Sequence, residues 1–128
     1  MPNYWFDHVH LNSPDPIGTA EFYEKMFGAT RQGVCQLNDG RTLIDLTLNE
    51  SSIKLSKPRI QPLAPSASPT GHEIEHFGLR TDNIEAAVAE LKSNGVKFVT
   101  ETKPGFGAKI AFLLAPGDIL IELLEEGK

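Results

Sequence analysis

A chain of 128 residues with 40% apolar content suits one compact domain, or two small modules that bury a core only together. Its net charge of −5, with no block of like charges, argues against nucleic acid or an anionic membrane as the main partner. The N-terminal MPNYWFDHVH has no basic segment followed by an apolar run, and no stretch approaches ~18 apolar residues; neither a signal peptide nor a membrane span is indicated, and the cytoplasm is the expected compartment.

In chain order, residues 4–11 alternate like a half-buried strand, and Ser13 or Asp15 is placed to cap a helix running to Phe27, where Gly28 supplies a stop. Strands follow at 29–36 and 41–48, joined by the turn NDG, and a third at 52–56 after NES. The lone Cys35 has no internal disulfide partner and, in the strand-like run QGVCQL, reads as a packing residue. Residues 57–71 (KPRIQPLAPSASPTG) carry four prolines, which block ladder hydrogen bonds and favour extended linker geometry. The order then recurs: a strand at 74–81, a helix at 84–94 ending at Gly95, and strands near 96–100, 109–114 and 119–124, with KPGFGAKIAF read as a loop.

The recurrence is a repeat, and a missed internal period mis-assigns a whole fold. The segment DPIGTAEFYEKMFGA lies over DNIEAAVAELKSNGV without a gap, matching Asp15 with Asp82, Ala20 with Ala87 and Gly28 with Gly95. The offset is 67 there and 68 at the flanking strands, where His8 matches His76 and Lys54 matches Glu122. The expected fold is α+β: two tandem βαβββ modules at 1–56 and 74–128, joined by a Pro-rich linker at 57–73, forming a curved mixed sheet around a concave cup.

Strand parity places the chemistry. Val9 and Leu11 share one face, so His8, His10 and Asn12 point to the other, because side chains alternate with period two. Phe77 and Leu79 put His76 and Arg80 on the opposite side; Ile119, Ile121 and Leu123 do the same for Glu122, and Ile53 and Leu55 for Lys54. If each helix covers the apolar face of its strands, His8, His10, Asn12, Lys54, His76, Arg80 and Glu122 share the remaining surface. His72, at the linker's end, reads as solvent-facing, and Glu73, Glu75, Glu125 and Glu126 as solvated charges.

Two βαβββ modules with a histidine early in each first strand, Phe22 and Tyr23 in the first helix, and a terminal Ile121-Glu122-Leu123 resemble the vicinal oxygen chelate superfamily. That group includes glyoxalase I, fosfomycin-modifying transferases, methylmalonyl-CoA epimerases, extradiol dioxygenases and bleomycin-resistance proteins. Carried over residue by residue, the resemblance implies one divalent metal per site on His8, His76 and Glu122, with Fe, Mn, Zn, Ni and Co all compatible with such nitrogen and oxygen ligands. At the fourth position glyoxalase I has Glu and the epimerases an amide, but the repeat places Lys54 there, and a charged ammonium is a poor ligand. A competing register ending the first module at TLIDLTLN offers Asp45 instead, at the cost of the 68-residue offset.

Open metal positions let a substrate chelate through vicinal oxygens, and Lys54 and Arg80 add positive charge suited to an anionic, oxygen-rich small molecule. With His10 and Asn12 they are the expected substrate-binding residues. The expectation is a metal-dependent lyase or isomerase, with dioxygenation or thiol transfer on the same three ligands as one alternative and a ligand-sequestering resistance protein as another. A homodimer is also expected, since this superfamily commonly completes its cups across subunits and the module has open sheet edges.

Overall fold

The computed structural model describes residues 2–65, 70–105, 107–116 and 118–126. Its elements in chain order are β1 (Tyr4–Asn12), α1 (Pro16–Phe27), β2 (Thr30–Gln36), β3 (Thr42–Leu48), β4 (Ser51–Ser56), β5 (Glu73–Thr81), α2 (Ile84–Ser93), β6 (Lys97–Gly105), β7 (Ala108–Ala115) and β8 (Ile119–Glu126). The fold is α+β, with strands in the order β2-β3-β4-β1 in the first repeat and β5-β8-β7-β6 in the second. β1 runs parallel to β4 and β5 parallel to β8, while the β2-β3-β4 and β6-β7-β8 ladders are antiparallel. No helix among the described residues is long and apolar enough to cross a membrane.

The chain divides into two compact units. An N-terminal unit holds His8–Pro62 and Ser66–Glu75; a C-terminal unit holds Met1–Asp7, Leu63–Pro65 and His76–Lys128. β1 and β5 are therefore each divided, and the first residues of the chain build the second repeat. Tyr4 packs on the core beneath α2, Phe6 stacks on Phe77 with ring centroids 6.1 Å apart, and Asn3 hydrogen-bonds the Asp82 carboxylate through both its backbone N and Nδ2 at 3.0 Å.

In the N-terminal unit, Ala20 of α1 lies against Ala29, Ile44, Leu46 and Leu55, with Leu11, Tyr23 and Ile53 packed around them. Asp15 rather than Ser13 caps α1, its Oδ1 accepting from Gly18 N at 3.2 Å; Ser13 Oγ instead accepts from Asp15 N at 3.0 Å and shares a hydrogen bond with Thr19 Oγ1. Gly28 ends α1 at φ 74, a left-handed conformation that costs a side-chain-bearing residue. In the C-terminal unit, Ile84, Ala87 and Val88 of α2 pack on Ala111, Leu113 and Leu123. Asn83 caps α2 by accepting from Ala86 N at 3.1 Å, and Glu125 Oε1 accepts from Ile84 N at 2.8 Å.

Several expectations are corrected. Glu125 is not a solvated charge: it supplies an acceptor to one of the free N–H groups at a helix start, where negative charge is also favoured by the helix dipole. Glu75 faces Arg59 Nε at 3.3 Å with a side chain only 9% exposed, and Glu73 accepts from Asn12 Nδ2. Cys35 is exposed rather than packed, because β2 is an edge strand with all seven residues exposed. Where a loop was expected in KPGFGAKIAF, β6 runs on to Gly105, with Lys103, Pro104 and Gly105 opposite Ile110, Lys109 and Ala108, and residue 106 lies outside the described residues. Proline is tolerated there because β6 is an edge strand. Between β4 and β5, residues 57–65 and 70–72 form neither helix nor strand, and residues 66–69 of the proline-rich stretch lie outside the described residues.

Candidate metal centre

On the non-helix face of the N-terminal unit, the ladders fix which side chains are neighbours. β1–β4 pairing sets His8 beside Ser52, His10 beside Lys54 and Asn12 beside Ser56; β3–β4 pairing sets Asp45 beside Lys54. Residues paired across a ladder share a face, so these polar side chains lie side by side. His8 is 2% exposed and His10 and Asn12 are buried. His10 Nε2 lies 2.7 Å from Ser56 Oγ, which also receives Arg41 Nη1 at 3.3 Å. Arg41 donates further to Lys57 O at 2.6 Å and, through Nε, to Asp39 Oδ2 at 2.7 Å. Asn12 Nδ2 donates to Glu73 Oε1 at 3.4 Å, while its Oδ1 is a buried oxygen with no hydrogen-bond partner among the described residues.

Lys54 is ion-paired: its Nζ lies 3.2 Å from Asp45 Oδ2, while Ser52 Oγ donates to Asp45 Oδ1 at 2.8 Å. β4, not β3, is the strand that pairs with β1, and the pairing His10 with Lys54 repeats as Gly78 with Glu122. The 68-residue register therefore holds in the ladders, and Lys54 stands at the position repeat-equivalent to Glu122. In the same way Asp45, across from Lys54, corresponds to Phe112, across from Glu122.

The C-terminal unit is different in character. Glu122 is flanked on its face by Phe112 and by the buried Leu120 and Leu124, and its side chain is 15% exposed. His76, 4% exposed, holds Nε2 at 3.2 Å from Glu122 Oε1, and the Phe112 ring meets the His76 ring edge-on with centroids 5.3 Å apart. An imidazole and a carboxylate removed from water compete with little solvent for a cation. Arg80, by contrast, has Nη1 3.9 Å from Asp7 Oδ1 and its guanidinium over the Trp5 ring at 5.5 Å, with the side chain 42% exposed. His72 is exposed.

Among the described residues, His8 of the N-terminal unit and His76 and Glu122 of the C-terminal unit are the side chains that could hold a metal ion. Two nitrogen donors and one anionic oxygen donor, all shielded, suit a borderline divalent cation such as Zn, Fe, Mn, Co or Ni. The sequence reading weighed Asp45 only as a ligand in a competing register and gave no role to Ser52, Ser56, Arg41 or Phe112. The signal for Asp45 was its opposite parity to Ile44 and Leu46 in TLIDLTL; nothing in the sequence marked Arg41.

The sequence pattern of the Glyoxalase/Bleomycin resistance protein/Dioxygenase superfamily matches residues 5–123. The chain belongs to that superfamily. It is 29% identical over 125 residues to the mitochondrial methylmalonyl-CoA epimerase of Homo sapiens, a match covering 91% of this chain and 71% of that protein. Among solved structures it resembles a hypothetical protein from Bacillus halodurans C-125 at TM-score 0.80 and 27% identity, covering 98% of this chain and 96% of the other. It also resembles methylmalonyl-CoA epimerase from Mycobacterium tuberculosis at TM-score 0.79 and 25% identity, covering 96% and 88%.

Proposed function

We propose that the protein is a metal-dependent enzyme that binds a small, oxygen-rich, anionic substrate at one divalent ion and carries out lyase or isomerase chemistry. The observation that carries this reading is the shielded His76–Glu122 pair, with His8 at the strand position repeat-equivalent to His76, in a superfamily member. These three would hold the ion, which when bound supplies Lewis acidity to a substrate oxygen. His76 is braced by the edge of Phe112, so its ring direction is set before any ion arrives. Lys54 offers N–H donors to an anionic group on the polar face of the N-terminal unit, and the orphan Oδ1 of Asn12 offers an acceptor to a substrate hydroxyl. His10 lines that face, its ring fixed by Ser56, and Arg80 supplies positive charge at long range. Similarity to methylmalonyl-CoA epimerases supports isomerase chemistry over dioxygenation. We further propose that the chain acts as a homodimer in the cytoplasm.

The test is elemental analysis of protein purified without chelators, coupled to turnover of a panel of small carboxylates and thioesters. Wild type and His72→Ala should retain about one divalent ion per chain, and His76→Ala should lose most of it. Equal occupancy in the two variants would overturn the ligand assignment; a protein that stays metal-free yet binds an organic ligand would favour sequestration.

A further inference from the structure

The two repeats carry opposite charges at equivalent places. Where the C-terminal unit has Glu122 facing Phe112, the N-terminal unit has Lys54 facing Asp45. An ammonium at that position, one strand away from His8, repels a divalent cation. Asp45 answers it: one oxygen takes Lys54 Nζ at 3.2 Å, and the other is held by Ser52 Oγ at 2.8 Å, so both carboxylate oxygens are engaged and the side chain is fixed in place. Ser52 is itself the ladder neighbour of His8.

We propose that Asp45 is a positioning residue that serves as the resident counter-charge of Lys54, and that this neutral Asp45–Lys54 pair takes the place of a fourth metal ligand. The inference rests on the ligand reading above. It assigns Asp45 a role that acts through Lys54 and not through contact with the ion. With Lys54 balanced, three ligands suffice to hold the cation, the fourth side of the site is left to substrate, and the N–H groups of Lys54 that do not face Asp45 remain directed to an anionic group of the chelating molecule. Removing Asp45 should expose the ion to an uncompensated positive charge; removing Lys54 as well should make the loss of Asp45 harmless.

The test is a double-variant cycle on Co2+ affinity, read from the metal's visible absorption and by competition with a fluorescent chelator, with thermal melting to confirm folding. Asp45→Asn, nearly isosteric and half-exposed, should weaken Co2+ binding about fivefold. Lys54→Met should bind Co2+ as tightly as wild type or more tightly, and Asp45→Asn with Lys54→Met should lie within about twofold of Lys54→Met alone. A loss of equal size in both backgrounds would make Asp45 a direct ligand and overturn the proposal, as would no loss in either. Absence of Co2+ binding by the wild type would instead sink the metal reading and this inference with it, so the two failures are distinguishable. As a second readout, glycolate and tartronate, which share a chelating pair but differ by one carboxylate, should be discriminated by the Co2+-loaded wild type at least fivefold more strongly than by Lys54→Met.

Discussion

Lys54 stands where the second repeat has Glu122, and on the proposed ligand reading it leaves three ligands and a cation in place of a fourth ligand. Lys54→Glu should therefore tighten metal binding and weaken binding of an anionic ligand, measured by titrating each into wild type and variant; no change in either would mean that Lys54 takes no part in the site. At the other extreme of burial, Leu46 is fully enclosed between β3 and α1, and Leu46→Ala should cost about 2–5 kcal/mol in urea unfolding, since the cavity adds to the lost transfer energy. Asp39 gives a pH dependence. The backbone N–H of Arg41, aided by its guanidinium, holds the Asp39 carboxyl below the usual carboxylate range. A depressed folded-state value means that the stabilisation is present above the unfolded-state value and lost as pH falls through the folded one. The stability difference between wild type and Asp39→Asn should accordingly be largest near neutrality and vanish in strong acid, as followed by unfolding midpoints across pH.

At the scale of elements, the two helices do the same work with different caps. Asp15 and Gly28 bracket α1; Asn83, Asn94 and Glu125 bracket α2. Asn83→Ala should destabilise by about 1 kcal/mol, the usual cost of a lost N-cap, and Glu125→Gln should weaken the same helix start less, because its amide oxygen still accepts from Ile84 N. The two edge strands also differ. β6 carries Pro104, Lys97, Lys103 and two register shifts, features that discourage further strand pairing. β2 has one register shift, between Arg31 and Gly33, and exposes Val34 and Cys35. The sequence put β6 too short because proline and glycine read as breakers, a rule that fails at an edge, where the missing N–H leaves no ladder bond unmade.

At the scale of the whole molecule, the compact units do not follow the repeat in sequence, because residues before His8 are built into the C-terminal unit. Asn3 ties that segment to the start of α2 through Asp82, whose carboxyl is held low by the Asn3 backbone hydrogen bond first and its side chain second. Deleting residues 1–6 should therefore destabilise the second repeat more than the first, which hydrogen exchange of the two helices would reveal as faster exchange in α2. The proposed homodimer is checked by light scattering, where a dimer mass at micromolar concentration is expected and a stable monomer would refute it.

Periodicity and the internal repeat were enough to read out the α+β class, the order of elements and the strand face of each polar residue, because alternation assigns a strand's faces without knowing its neighbours; the superfamily and the three candidate ligands came from the family resemblance. The faces of His8, His76, Glu122 and Lys54 were all legible by alternation. What the sequence could not supply was who stands beside whom. The Asp45–Lys54 pair, the Arg41–Ser56–His10 chain and the edge of Phe112 on His76 join residues on different strands, and their register is set by hydrogen-bonded ladders between segments distant in sequence. Side-chain parity is a local property of one strand; ladder register is decided only when strands meet in the folded chain.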